Sequence, residues 1–209
     1  ENETAGGVFP LSTFLRYYDE TQTSMQWINM LAAEVLMDVA GYSAFIPAST
    51  GDQLISYDGN LHDVMYYSPY LSFTANSTVQ YDGYNLMGNP FASRIDLESG
   101  GIERGNVDNA FYFWNPSINN YSYWLNGAGV NGASQYVPVG QGFFVKVSTP
   151  GLGEFGITNE ARTNEFQAFY KSSINNVIRL KVEGDIYSDE TMVRFDNQAS
   201  SQFDSQFDA

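Results

Sequence analysis

The chemistry open to this chain is set by 24 carboxylates, one histidine and no cysteine in 209 residues. Ser–His–Asp catalysis needs a histidine base. The sole candidate, His62, sits in Asn60-Leu61-His62-Asp63, a turn-like setting, and no Gly-x-Ser-x-Gly elbow accompanies it. Without cysteine there are no thiol nucleophiles, disulfides, iron–sulfur clusters or Cys-type zinc sites. Paired carboxylates can serve a glycosidase, but so many acidic side chains place some pair at a suitable separation in any fold. The run Gly127-Ala128-Gly129-Val130-Asn131-Gly132 imitates a phosphate-binding loop, yet it lies between strand patterns and reads as a plain loop. The chain is therefore expected not to be an enzyme, with no catalytic residue and no organic cofactor.

Two ligand chemistries remain. Calcium takes oxygen ligands from Asp, Asn and backbone carbonyls in loops. Asp96 with Glu98, Asp108 with Asn109, and Asp189 with Glu190 offer such oxygens, although none follows an EF-hand or nonapeptide pattern and solvated loop charge explains them equally. Sugars stack on indole and phenol rings. Trp27, Trp114 and Trp124 are the candidate glycan or partner contacts; core packing is the competing explanation, and at least one tryptophan is expected to be buried.

The net charge of -15 and pI near 4.1 oppose nucleic-acid binding, which needs a basic face. They also oppose docking on anionic lipid. No apolar run approaches bilayer length, so no membrane insertion is expected. Such an acidic, cysteine-free chain, rich in Tyr and Asn, fits an extracellular or cell-surface bacterial protein.

The elements that position these side chains read as strands. Fifteen Tyr, 15 Phe and 19 Gly favour pleated surfaces and tight turns. Short strand-like runs alternate with turn signals: Phe14 to Tyr18, Gly41 to Pro47, Leu54 to Tyr57 before Asp58-Gly59-Asn60, Val79 to Tyr81 before Asp82-Gly83, Ala110 to Trp114, Tyr121 to Leu125 before Asn126-Gly127, and Gly142 to Val147. Val177 to Glu183 alternates most cleanly and predicts Ile178, Leu180 and Val182 facing inward, with Met192 to Phe195 returning as its partner. Asn29 to Asp38 has helix-forming composition without a clean 3.6-residue stripe, leaving a short helix or a loop open. The expectation is an all-β, antiparallel sandwich with at most one or two short helices.

Two segments look alike. Residues 14–28 followed by Gly41-Tyr42, and residues 110–125 followed by Gly142-Phe143, each run from an aromatic strand through a polar turn to a tryptophan and a glycine-led strand. Tyr18 and Trp27 stand where Trp114 and Trp124 stand. The expected organisation is a sandwich over 1–155 with pseudo-repeats at about 8–76 and 77–150. A second, incomplete β unit at 156–209 is expected to pack on it.

Tyr84-Asn85-Leu86-Met87-Gly88-Asn89-Pro90-Phe91-Ala92-Ser93, with Ile95-Asp96, resembles the "GWNLIGNPYPSAIDW" signature. Asn109 to Asn115 resembles "aIYvWd", Val137 to Lys146 resembles "I.P.QGFFVK", Arg179 to Val182 with Ser188 to Phe195 resembles "RLKL…SDEtvIrF", and Phe203 to Ala209 resembles "FDs.yDA". These patterns recur in Bacteroidetes surface and secreted proteins exported by type IX secretion. The resemblance implies a large, β-rich, adhesin-like parent protein with no catalytic residue in this region, of which this chain is a piece.

The motif also has a physical meaning. Pro90 stops a strand because it lacks an N–H. Gly88 admits a tight or positive-φ geometry, and Asn89 can bridge backbone groups. With Asp96, Gln141 and Gly142 these are expected to be structural clamps, Gln141 tying two strands through its amide. The expected function is a non-enzymatic extracellular module for adhesion, surface display or fibre-like self-assembly through strand edges, with other protein subunits or copies of itself as partners. A carbohydrate-binding module that takes extracellular glycans is the alternative.

Overall fold

The computed structural model describes residues 3–10, 13–47, 55, 66–67, 71–75, 81–115, 118–165, 177–184 and 187–195. The expected turn at Asp58-Gly59-Asn60, His62 and the tail from residue 196 lie outside them. The described chain is all-β with one short helix, Ala5–Val8. In chain order the strands are β1 (Phe14–Tyr18), β2 (Trp27–Asn29), β3 (Ser43–Phe45), β4 (Tyr66–Tyr67), β5 (Leu71–Phe73), β6 (Tyr84–Gly88), β7 (Arg94–Asp96), β8 (Ile102–Gly105) and β9 (Ala110–Asn115). They continue with β10 (Asn120–Leu125), β11 (Ala128–Val130), β12 (Tyr136–Val137), β13 (Gly142–Lys146), β14 (Gly151–Ile157), β15 (Arg162–Thr163), β16 (Val177–Glu183) and β17 (Ser188–Arg194).

The central sheet has the order β11-β10-β9-β13-β6, all antiparallel. Its alternation separates an apolar row from an aromatic row, and on the aromatic side Tyr18 and Trp27 of the sheet β2-β1-β3 pack on Phe144. Phe111, Trp124, Phe143, Val145 and Met87 point inward; Tyr112, Trp114, Tyr121, Tyr123 and Tyr84 point the other way. A second layer is built on β14, paired with β4, β5 and β8. It supplies Phe155, Ile157 and Leu71 to the same core. Phe111, Phe143 and Phe155 meet edge to face at centroid distances of 6.0 to 6.2 Å, joining the two layers. A third sheet, β12-β7-β15, closes one side with Ile95, Leu97 and Val137.

The expected unit boundary at 155 falls inside β14. Ile157 and Ala161 belong to the same core, and β15 pairs with β7, so this unit runs on to Thr163.

Turn chemistry follows the residues. Asn126 (φ 45°) and Gly127 (φ 81°) form the two-residue connection between β10 and β11, in which both positions need positive φ.

Asn29 to Asp38 is not helical. Its backbone is taken by the N-terminal segment: Ala5 N–H donates to Glu34 O (2.8 Å), Gly6 N–H to Ala32 O (2.8 Å), and Leu36 N–H to Glu3 O (2.8 Å). These long-range bonds override local helix propensity.

The two look-alike hairpins differ in register. Tyr18 faces Trp27 across β1–β2, whereas Trp114 faces Tyr121 and Trp124 faces Phe111 across β9–β10.

Strands β16 and β17 pair over their full length, Val177 with Arg194 through Glu183 with Ser188. The expected pairing is present, but the expected inward face is not. Ile178, Leu180 and Val182 are 50%, 57% and 73% exposed. Alternation fixes which residues share a face; it does not supply a layer to cover them.

Candidate functional site

The Asn89-Pro90 motif is a clamp. Asn89 ends β6, and its Nδ2 donates to Ser93 O (2.8 Å), Val137 O (3.3 Å) and Pro138 O (3.1 Å). Its Oδ1 accepts from Phe91 N–H (2.9 Å). One amide thus holds the turn after β6 against the end of β12. Asp96 ties β7 to the segment before β12, its Oδ1 accepting from Glu98 N–H and Gln135 Nε2, both at 2.9 Å.

Of the two geometries open to Gly88, the structure takes the tight one: it is not among the positive-φ residues, and a Cβ there would lie 2.8 Å from Ala40 O. One expectation at this motif needs correction. The Gln141 amide does not tie two strands in the described contacts; it donates to the neighbouring Gly142 O (2.7 Å). The link to β6 runs instead through the main chain, Asn89 N–H to Gln141 O at 3.3 Å. Gly142 pairs with Gly88 in the sheet.

Sequence reasoning missed two buried polar groups. Asn85 on β6 faces inward beside Met87. Its Oδ1 accepts from Ser72 N–H (3.2 Å), and its Nδ2 donates to Ser72 O (2.9 Å) and Gly83 O (2.8 Å). The side chain thus imitates one rung of a β-ladder and joins the layers. Glu20, just after β1, accepts from Thr74 N–H (3.0 Å), Thr74 Oγ1 (2.8 Å) and Ser72 Oγ. The signal for Asn85 was available: a polar residue at an inward position of an alternating strand.

The tryptophans divide. Trp124 is buried (4% exposed) and its Nε1 donates to Glu98 Oε1 at 2.7 Å, so its ring offers no contact to a glycan or a partner. Trp114 is half exposed and packs on Tyr121 at 5.3 Å. Trp27 packs on Tyr18 (5.3 Å) and Phe144 (5.9 Å). Phe144 in turn meets Tyr121 at 6.0 Å. Trp27 and Trp114 therefore stand on one continuous outer aromatic face.

On that face burial pushes the phenols of Tyr18, Tyr84, Tyr112, Tyr121 and Tyr123 above their ordinary value of 10.0. In the unfolded chain these phenols ionise near 10, where the native chain still holds its protons. Stability is therefore full below that pH and falls as pH rises through it. Tyrosinate absorbance and loss of tertiary circular dichroism are expected to rise together in one step in an alkaline titration. Free titration of these phenols in a chain that stays folded would contradict the packing.

The carboxylates considered for calcium have protein partners. Asp96 and Glu98 are engaged as described. Asp189 Oδ1 accepts from Glu190 N–H (2.8 Å) and Asn131 Nδ2 (3.3 Å), and Glu190 pairs with Arg179. Among the described residues no group of three or more His, Cys, Asp or Glu is poised to hold a metal.

The hairpin β16–β17 touches the sandwich near β11, through Asn131 and beside Tyr123. Ile178, Leu180, Val182 and Val193 are exposed on one face of the hairpin, which Thr191 and Asp189 share. Arg179, Lys181 and Glu190 occupy the opposite face.

Over 72 residues the chain is 35% identical to the minor fimbrium subunit Mfa5 of Porphyromonas gingivalis. That stretch covers 34% of this chain and 6% of the fimbrial protein, so the chain spans a small part of its curated relative. No protein-family model and no solved structure matches the chain. No helix among the described residues is long and apolar enough to cross a membrane.

Proposed function

We propose that this chain is a non-enzymatic extracellular module of a bacterial cell-surface protein, serving surface display and fibre-like assembly through its strand edges. The observation that carries the reading is the open apolar face of β16–β17. Two strands alone are marginal in water and need a further strand or layer against their apolar side. The stretch shared with a fimbrium subunit supports the same reading. The polar side chains that hold the sandwich, Asn85, Asn89, Asp96 and Glu20, are engaged in scaffold hydrogen bonds. The motif resemblance extends the proposal to export by type IX secretion.

Immunogold labelling of producing cells tests the placement. Gold is expected along surface fibres or at the outer surface; label confined to the cytoplasm contradicts it.

A carbohydrate-binding module is the second reading, favoured by Trp27 and Trp114 sharing the outer aromatic face. It predicts saturable binding on a glycan array that is lost in Trp114→Ala. Silence across plant, algal and host glycans removes it.

A further inference from the structure

We propose that the edge of β16 opposite β17 takes up residues 202–208 of a second copy of this chain as an added antiparallel strand. The inference rests on the assembly reading above and names its site and partner. Strand β16 pairs with β17 on one side, and among the described residues no strand pairs with its other side. It is seven residues long and alternates Ile178, Leu180 and Val182 with Arg179, Lys181 and Glu183. A strand added there continues the open face through apolar residues on that side. Between them it should carry acidic or neutral polar residues, because like charges directly opposite repel.

Residues 177–195 carry three of the nine basic residues of the chain, Arg179, Lys181 and Arg194, beside the acidic Glu183, Asp185, Asp189 and Glu190. Arg179 is held by Glu190 across the hairpin. Lys181 pairs with Glu183, two residues along the same strand, and stands opposite Glu190 in the hairpin; the Lys181 and Glu183 side chains are largely exposed. Such a pair contributes little and yields readily to a better-placed carboxylate.

The segment Gln202-Phe203-Asp204-Ser205-Gln206-Phe207-Asp208 puts Phe203 and Phe207 on one side of a strand, with the small Ser205 between them, and Asp204 and Gln206 on the other. In one antiparallel register Phe203 faces Val182, Asp204 faces Lys181, Ser205 faces Leu180, Gln206 faces Arg179 and Phe207 faces Ile178. Both rings then lie on the side of Ile178 and Val182, and Asp204 meets Lys181. The donor is a second copy because, within one chain, this strand would run parallel to β17 on the far side of β16. Residues 195–202 are fewer than the dozen or so that such a crossover takes.

The test mixes two separately labelled batches of the full chain and reads energy transfer between them. Transfer is expected to rise with concentration and to vanish in the Phe203→Ser, Phe207→Ser double variant. Lys181→Asp is expected to weaken association about fivefold to tenfold, and Asp204→Lys in that background to restore it. Near-UV circular dichroism verifies that each variant stays folded. Transfer that survives loss of both phenylalanines overturns the assignment of residues 202–208 and leaves assembly standing. Absence of transfer in the unaltered chain at high concentration overturns the second-copy partner, while the cell-surface labelling separately decides the broader reading.

Discussion

Replacing Phe143 by alanine is expected to cost about 3–5 kcal/mol, a large share of the roughly 5–15 kcal/mol that holds a domain of this kind together. Phe143 is fully buried at the inner face of β13. Its ring meets Phe111 at 6.1 Å, Phe113 at 6.1 Å and Phe155 at 6.2 Å. Truncation removes the ring that connects the central sheet to the β14 layer, and neither sheet can move inward without breaking its ladder. Urea denaturation is expected to show a much lower midpoint. Trp114→Ala, on the outer face, is expected to change stability far less, because half of its surface is already in water. Equal costs at the two positions would mean that the layers are not arranged as described.

The second large effect is expected at Asn85. Its amide makes three hydrogen bonds, two of them across the layers to the backbone of Ser72 and one to Gly83 O, two residues back. Asn85→Ala leaves one N–H and two carbonyls without that partner in a buried setting, at about 1–3 kcal/mol for each group that water cannot reach. Asn85→Asp is expected to be worse at neutral pH. A carboxylate can accept from Ser72 N–H, but it cannot donate to Ser72 O or Gly83 O and places a charge in the core. Hydrogen exchange at the Ser72 amide provides the local readout: protection is expected to fall in Asn85→Ala more than at Val145. Unchanged protection would show that β5 is held to β6 by something other than this side chain.

Much of the fold is legible where local rules act alone. Asn126-Gly127 demands positive φ and forms the turn between β10 and β11. Gly142 to Lys146 alternates, and the inward row of Phe143 and Val145 is buried. The pairing of β16 with β17 also follows from pattern. The rest depended on distant neighbours. Helix propensity at Asn29 to Asp38 lost to hydrogen bonds with residues 3–6, more than twenty positions away. The inward face of β16 was read from alternation, which says nothing about what lies opposite.

At the candidate sites the division is similar. Asn89 and Asp96 act as clamps, as their residue types imply, because amides and carboxylates beside turns bridge backbone groups. Gly88 is tight because residues 39–41 approach β6, a distant contact that its residue type leaves open, and Gln141 meets β6 through its main chain rather than its amide. Trp124 and Trp114 look equivalent along the chain; one bond of strand phase puts the first in the core and the second on the surface.

The central claim is that the working surface is a sheet edge completed by another polypeptide. Placing a photo-crosslinking residue at Leu180, in the full-length protein on producing cells, tests it most directly. The account predicts discrete adducts containing a second protein subunit, with none from a control position inside the core such as Val145. Illumination that leaves the Leu180 variant uncrosslinked, or joins it only to polysaccharide, would contradict it.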